Sequence, residues 1–125
     1  IQEEINAFDK LAIEGELQKY STGGAVSYVE TYNMSKNQEA LLQVVQYMYE
    51  TIMYAEINFE SDVCGECGYS GVMDNDPKTL EWVCPNCGNR NQDTLSVVRR
   101  TCGYLAETKW TPGRLLDILN RVKHL

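Results

Sequence analysis

Two Cys-x-x-Cys pairs constrain this chain more than any other feature. Cys64-Gly65-Glu66-Cys67 and Cys84-Pro85-Asn86-Cys87 are separated by 16 residues, the spacing of a zinc ribbon. Two thiolates three positions apart on a tight turn can reach one ion. Gly68 and Gly88, just after the pairs, let the backbone curl around the sulfurs. Two such turns at opposite ends of a short hairpin complete a tetrahedron. Four thiolates leave no open coordination position, so a zinc ion held by Cys64, Cys67, Cys84 and Cys87 is structural and not catalytic. Its binding supplies folding free energy directly. A fifth cysteine, Cys102, makes the count odd, which points to metal ligation in a reducing compartment and away from a secreted disulfide scaffold.

A chain of 125 residues suits one domain or the end of a larger one. It opens on Ile1, which points to a processed, engineered or excised piece. A core of this size is modest and gains from a metal staple. No apolar run approaches the ~20 residues of a membrane helix, and no signal-like segment opens the chain, so a soluble, cytoplasmic protein is expected. The net charge of −7 is uneven: residues 1–63 hold 3 basic and 11 acidic side chains, whereas residues 90–125 hold 7 basic and 3 acidic. The acidic total argues against nucleic-acid binding, which rests on neutralising phosphates. The basic tail is suited to an acidic surface, such as the first half of the same chain, or simply to solvent.

Apolar spacing predicts a helix over residues 2–20, with Ile5, Phe8, Ala12 and Ile13 or Leu17 on its inner face. Ser21-Thr22-Gly23-Gly24 ends it in a turn. Residues 25–32 alternate and are rich in β-formers, which predicts a strand. Ser35 and Gln38 fit a capping box for a helix to about Met53, with Leu41, Val45, Met48 and Ile52 as its stripe. Residues 54–59 form a second strand, residues 93–100 are extended, and residues 101–111 are a loop. Thr111 caps a last helix with Pro112 at its first position. Leu115, Ile118, Leu119 and Val122 give this helix its apolar face. Arg121, Lys123 and His124 suit its C-terminal dipole, with His124 exposed or capping.

Locally, Cys64 to Tyr69 and Trp82 to Gly88 resemble rubredoxin, in which iron takes the same ligands. The shorter gap and the missing aromatic core favour zinc, although softness alone does not separate the two metals at four thiolates. The run Arg99-Arg100-Thr101-Cys102-Gly103-Tyr104-Leu105, shortly after Cys84-Pro85-Asn86-Cys87-Gly88-Asn89, resembles the glycyl-radical loop of anaerobic (class III) ribonucleotide reductases. The tail from Gly113-Arg114 to Leu125 is similar to the end of that family, and a strand-helix-strand order over Gly23 to Asp62 suits the last part of its barrel. Ala106 and residues 108–112 depart from the family pattern.

The resemblance implies a function. Gly103 stores a radical made by a separate radical-SAM activase, which uses a [4Fe–4S] cluster and S-adenosylmethionine. Glycine is needed there because an amide nitrogen and a carbonyl delocalise the unpaired electron only across a flat centre, which a side chain would oppose. Gly103 then oxidises an upstream cysteine to a thiyl radical, and ribonucleoside triphosphates are reduced to deoxyribonucleoside triphosphates. The reductant is formate or a thioredoxin-type protein. Cys102 is a small buried thiol and not the thiyl partner. Arg99 and Arg100 are suited to pair with acidic neighbours or to orient the loop, with a structural role favoured, and Tyr104 and Leu105 pin the loop into the barrel by packing. The expected fold is α+β: a C-terminal fragment of a glycyl-radical-enzyme barrel over residues 1–62, a four-cysteine zinc-binding knuckle over residues 63–92, and a radical loop with a final helix over residues 93–125. The expected partners are the rest of the reductase, as a homodimer, and the activase. Competing readings are a free-standing spare glycyl-radical subunit, a zinc-ribbon binding module and a rubredoxin-like electron carrier.

Overall fold

The computed structural model describes residues 3–101, 104–107 and 110–125. Gly103 and Cys102 lie outside the described residues. The chain divides into two compact units, residues 1–59 with 121–125 and residues 60–120.

The first unit is built from helix α1 (Ala7–Gln18), strand β1 (Ser27–Glu30), helix α2 (Gln38–Thr51) and strand β2 (Ala55–Asn58). β1 and β2 pair in parallel, from Ser27↔Ala55 to Glu30↔Asn58, with α2 as the crossover that parallel strands require. Ala7, Leu11, Val29 and Val44 form the core, flanked by Phe8, Tyr47, Met48 and Ile52. Phe8 and Tyr47 meet edge to face at 5.1 Å.

Both helices bury a face rotated from the one their apolar residues predict: Phe8, Met48 and Ile52 pack against the core as expected, whereas others of the predicted stripes do not. α1 buries Ala7, Leu11, Gly15 and Gln18, and leaves Ile13 and Leu17 exposed. Gly15 explains the choice, because a Cβ there would lie 2.5 Å from the Thr51 carbonyl oxygen. The two helices approach through a position that only glycine fills. Gln18 completes the face: its amide nitrogen donates to the Tyr54 carbonyl at 2.8 Å, and its amide oxygen accepts from the Tyr54 N–H at 3.1 Å. On α2 the buried residue is Val44, whereas Val45, Leu42 and Tyr49 are exposed. The helix cap is Asn37, whose side chain accepts from the Ala40 N–H, so Ser35 precedes the cap by two positions.

The tail joins this unit. His124 is buried and not exposed. Its backbone N–H donates to the Glu30 carbonyl at 2.7 Å, and its Nδ1 accepts from the Glu30 N–H at 2.9 Å. Arg121 pairs with Glu30 at 3.4 Å, which gives part of the basic tail an acidic partner in the first half of the chain.

The second unit holds short strands: β3 (Asp62–Cys64), β4 (Ser70–Gly71), β5 (Asp74–Asp76), β6 (Glu81–Val83), β7 (Leu95–Ser96), β8 (Arg99–Thr101) and β9 (Tyr104–Ala106), then helix α3 (Pro112–Leu119). β3 lies between β4 and β7, β5 pairs with β6, and β8 pairs with β9, all antiparallel. The segment expected to be a loop from Thr101 therefore contains a ladder, with Thr101 opposite Tyr104. The β-formers flanking residues 102–103 supply the reason. Thr111 caps α3 through its side chain, and Leu115 and Ile118 are buried. Leu119 is exposed, and α3 ends before Val122. No described helix is long and apolar enough to cross a membrane.

Candidate metal centre

Two near-identical turns build the centre. The Gly68 N–H donates to the Cys64 carbonyl and the Gly88 N–H to the Cys84 carbonyl, both at 2.9 Å. The Cys64 N–H returns to the Tyr69 carbonyl and the Cys84 N–H to the Asn89 carbonyl, again at 2.9 Å. Gly68 and Gly88 adopt φ of 72° and 73°, the left-handed region that favours glycine. β3 delivers Cys64, and Cys84 follows β6 directly.

The four sulfurs lie within 4.8 Å of one another. Cys64 and Cys87 Sγ are 3.8 Å apart, and Cys67 and Cys84 Sγ are 3.7 Å apart. A zinc–sulfur bond of about 2.3 Å gives a tetrahedron with edges of about 3.8 Å, so the spacing fits a metal ion. It excludes disulfides, which need about 2.05 Å. Cys64 and Cys84 are buried, whereas Cys67 and Cys87 are exposed.

Two asparagines were missed by sequence reasoning. Asn86 Nδ2 donates to Cys67 Sγ at 3.5 Å, and Asn89 Nδ2 to Cys64 Sγ at 3.6 Å. Such donors stabilise thiolates and orient ligands. Their signal was the Asn inside the second pair and the Asn just after it. The Cys67 N–H first, against burial, and then the Asn89 amide hold the Cys64 thiol down at about 6. Cys67 is likewise lowered, chiefly by Asn86. Cys87 is relieved by the Asn89 N–H, but partial loss of hydration and the three neighbouring sulfurs push it up to about 12. Thiolates this close repel one another, and a cation is what lets the set ionise together.

Behind the sulfurs lies a core of Met73, Trp82, Leu95, Val97 and Leu115 with the two buried cysteines. Trp82 and Trp110 meet edge to face at 5.2 Å. The Gln92 side chain extends β6 by accepting from the Trp82 N–H at 3.0 Å and donating to its carbonyl at 2.8 Å. Leu105 is 61% exposed, so it does not pack into this core.

A mixed helix-and-strand chain carries a four-cysteine cluster that could hold a metal ion, and its all-thiolate donor set fits a structural zinc rather than an open catalytic metal site. The family is specific: a family model described as anaerobic ribonucleoside-triphosphate reductase matches residues 1–124. The chain belongs to this family. It is 36% identical over 128 residues to the anaerobic ribonucleoside-triphosphate reductase of Haemophilus influenzae, covering 100% of this chain and 18% of the relative. The enzyme of the same name from Escherichia coli is 34% identical, with 100% and 18% covered. That of Enterobacteria phage T4 is 34% identical over 127 residues, with 99% and 21% covered. The chain thus spans about a fifth of the length of these relatives, and it corresponds to their C-terminal part.

Proposed function

We propose that this chain is the radical-storing and metal-supported part of an enzyme that reduces ribonucleoside triphosphates to deoxyribonucleoside triphosphates without oxygen. The observation that carries this reading is the family match across residues 1–124, which includes Arg99-Arg100-Thr101-Cys102-Gly103-Tyr104-Leu105. Gly103 is the radical residue. Cys64, Cys67, Cys84 and Cys87 hold a structural zinc ion. The parallel β1–α2–β2 unit is the last part of the enzyme's barrel.

The roles follow from the chemistry. A radical-SAM activase removes one Cα hydrogen atom from Gly103. The glycyl radical takes the hydrogen atom of a cysteine thiol in the rest of the enzyme, and the thiyl takes the 3′ hydrogen of the bound nucleotide. The 2′ hydroxyl leaves as water, with formate or a thioredoxin-type protein supplying two electrons. A closed four-thiolate ion takes no part in these transfers. Cys64, Cys67, Cys84 and Cys87 would hold it, and through it β3 and the end of β6 would be fixed to each other. The working assembly is a cytoplasmic homodimer of the full reductase.

The test is anaerobic EPR of the full-length reductase after incubation with its activase, S-adenosylmethionine and a reductant, with Gly103→Ala alongside. A glycyl doublet that vanishes in the variant is expected. No signal, with an activase proven on another substrate, would refute the radical role and leave a zinc-ribbon binding module.

A further inference from the structure

One buried side chain touches both arms of the metal centre and is not itself a ligand. Asp62 is fully buried on β3, two residues before Cys64, and Trp82 is buried on β6, two residues before Cys84. Arg99, the first residue of β8, is 4% exposed and meets both. Its Nη2 donates to Asp62 Oδ2 at 2.7 Å, and its Nη1 donates to Asp62 Oδ1. Its guanidinium carbon lies 5.0 Å from the Trp82 ring centroid. Glu60 adds a second carboxylate 3.8 Å from Nε. Asp62 is itself fixed, because Oδ2 also accepts from the Met73 N–H at 2.8 Å.

We infer that Arg99 is a positioning residue that ties β8 to β3, which carries Cys64, and to β6, which leads directly into Cys84, so that the strands that place the cluster also hold β8 in position. The consequence for the radical rests on the function proposed above, since β8 ends at Thr101, two residues before Gly103. A buried ion pair is a weak stabiliser compared with apolar side chains of equal volume. Its particular contribution is geometric: a planar fork bonds a carboxylate twice while its charge lies over an aromatic ring, a combination that lysine's single ammonium cannot reproduce. A second arginine of this unit provides the contrast. Arg90 pairs with Asp76 and Glu81, both on the β5–β6 hairpin, and is half exposed.

The test compares wild type, Arg99→Lys and the control Arg90→Lys in the full-length reductase. Zinc content, amide hydrogen exchange and radical yield are read for each. In Arg99→Lys, zinc is retained, while amides of residues 99–101 and 104–106 exchange at least about ten-fold faster and radical yield falls. Arg90→Lys matches wild type. If Arg99→Lys loses zinc while Arg90→Lys keeps it, the same coupling is supported from the other side. Wild-type exchange at β8 and β9 in Arg99→Lys would overturn the inference, as would equal zinc loss from both variants. Exchange is read without the radical. A wild-type enzyme that forms no radical therefore refutes the proposed function, while the exchange data still decide the role of Arg99.

Discussion

Removing the metal should unfold the second unit and spare the helices of the first. Residues 60–120 are 61 residues, for which an ordinary domain has a stability of roughly 3–9 kcal/mol. Structural zinc sites bind with an apparent free energy of about 10–16 kcal/mol, as much as that or more. The strands here are only two or three residues long, and two of the seven core residues are cysteines of the cluster. Without the ion, sulfurs 3.7–3.8 Å apart cannot all remain ionised, because like charges at that distance repel. The chain provides its own reporters. Its two tryptophans, Trp82 and Trp110, both lie in the second unit. Helices α1 and α2, of 12 and 14 residues, lie in the first, against 8 residues in α3. Chelation should shift tryptophan emission to the red, reversibly on adding zinc, and leave most of the ellipticity at the helical band. Unshifted emission from protein shown by elemental analysis to be metal-free would refute the reasoning.

Other outcomes follow from single contacts. Gly15→Ala should destabilise the first unit by about 1–2 kcal/mol in urea unfolding, because overpacking against the Thr51 carbonyl outweighs a helix-propensity gain of up to about 1 kcal/mol. Asn89→Ala should weaken zinc binding by about ten- to a hundred-fold in competition with a chromogenic chelator. Burial, and then the Lys10 ammonium, hold the His124 imidazole below its ordinary value of 6.5, and its Nδ1 is occupied in accepting the Glu30 N–H. The unfolded chain therefore binds the proton first as pH falls. Stability that is complete above the ordinary value should be lost as pH falls from there towards the folded value. Unfolding monitored by α1 and α2 ellipticity should show that slope, and His124→Gln should flatten it.

The cysteine cluster was legible because ligand spacing is a local constraint that survives any packing. The β1–α2–β2 order was also legible, since alternation and helical spacing differ sharply there. The buried faces of α1 and α2 were not, because apolar count favoured Ile13, Leu17 and Val45. Close approach at Gly15, with an amide pair at Gln18, decided the faces instead, and neither adds hydrophobicity to a periodicity. His124 was placed outside for a similar reason: its partner is a backbone group of Glu30, 94 residues away. The Arg99–Asp62 pair spans 37 residues, and no spacing rule links two such positions. The β8–β9 ladder was in principle readable, since Arg-Arg-Thr and Tyr-Leu-Ala flank a two-residue break.

The division of the cluster into two sheltered and two open sulfurs sets an order of damage. Cys67 and Cys87 face solvent, one from each turn, while Cys64 and Cys84 do not. A peroxide or alkylating agent arriving from outside meets only the rim pair, and thiolate character and access govern such attack. Losing one rim ligand leaves three sulfurs, including both buried ones. Three protein ligands with water in the fourth place is the coordination of an open zinc centre. Oxidative injury would thus convert a closed site into an open one before it empties it.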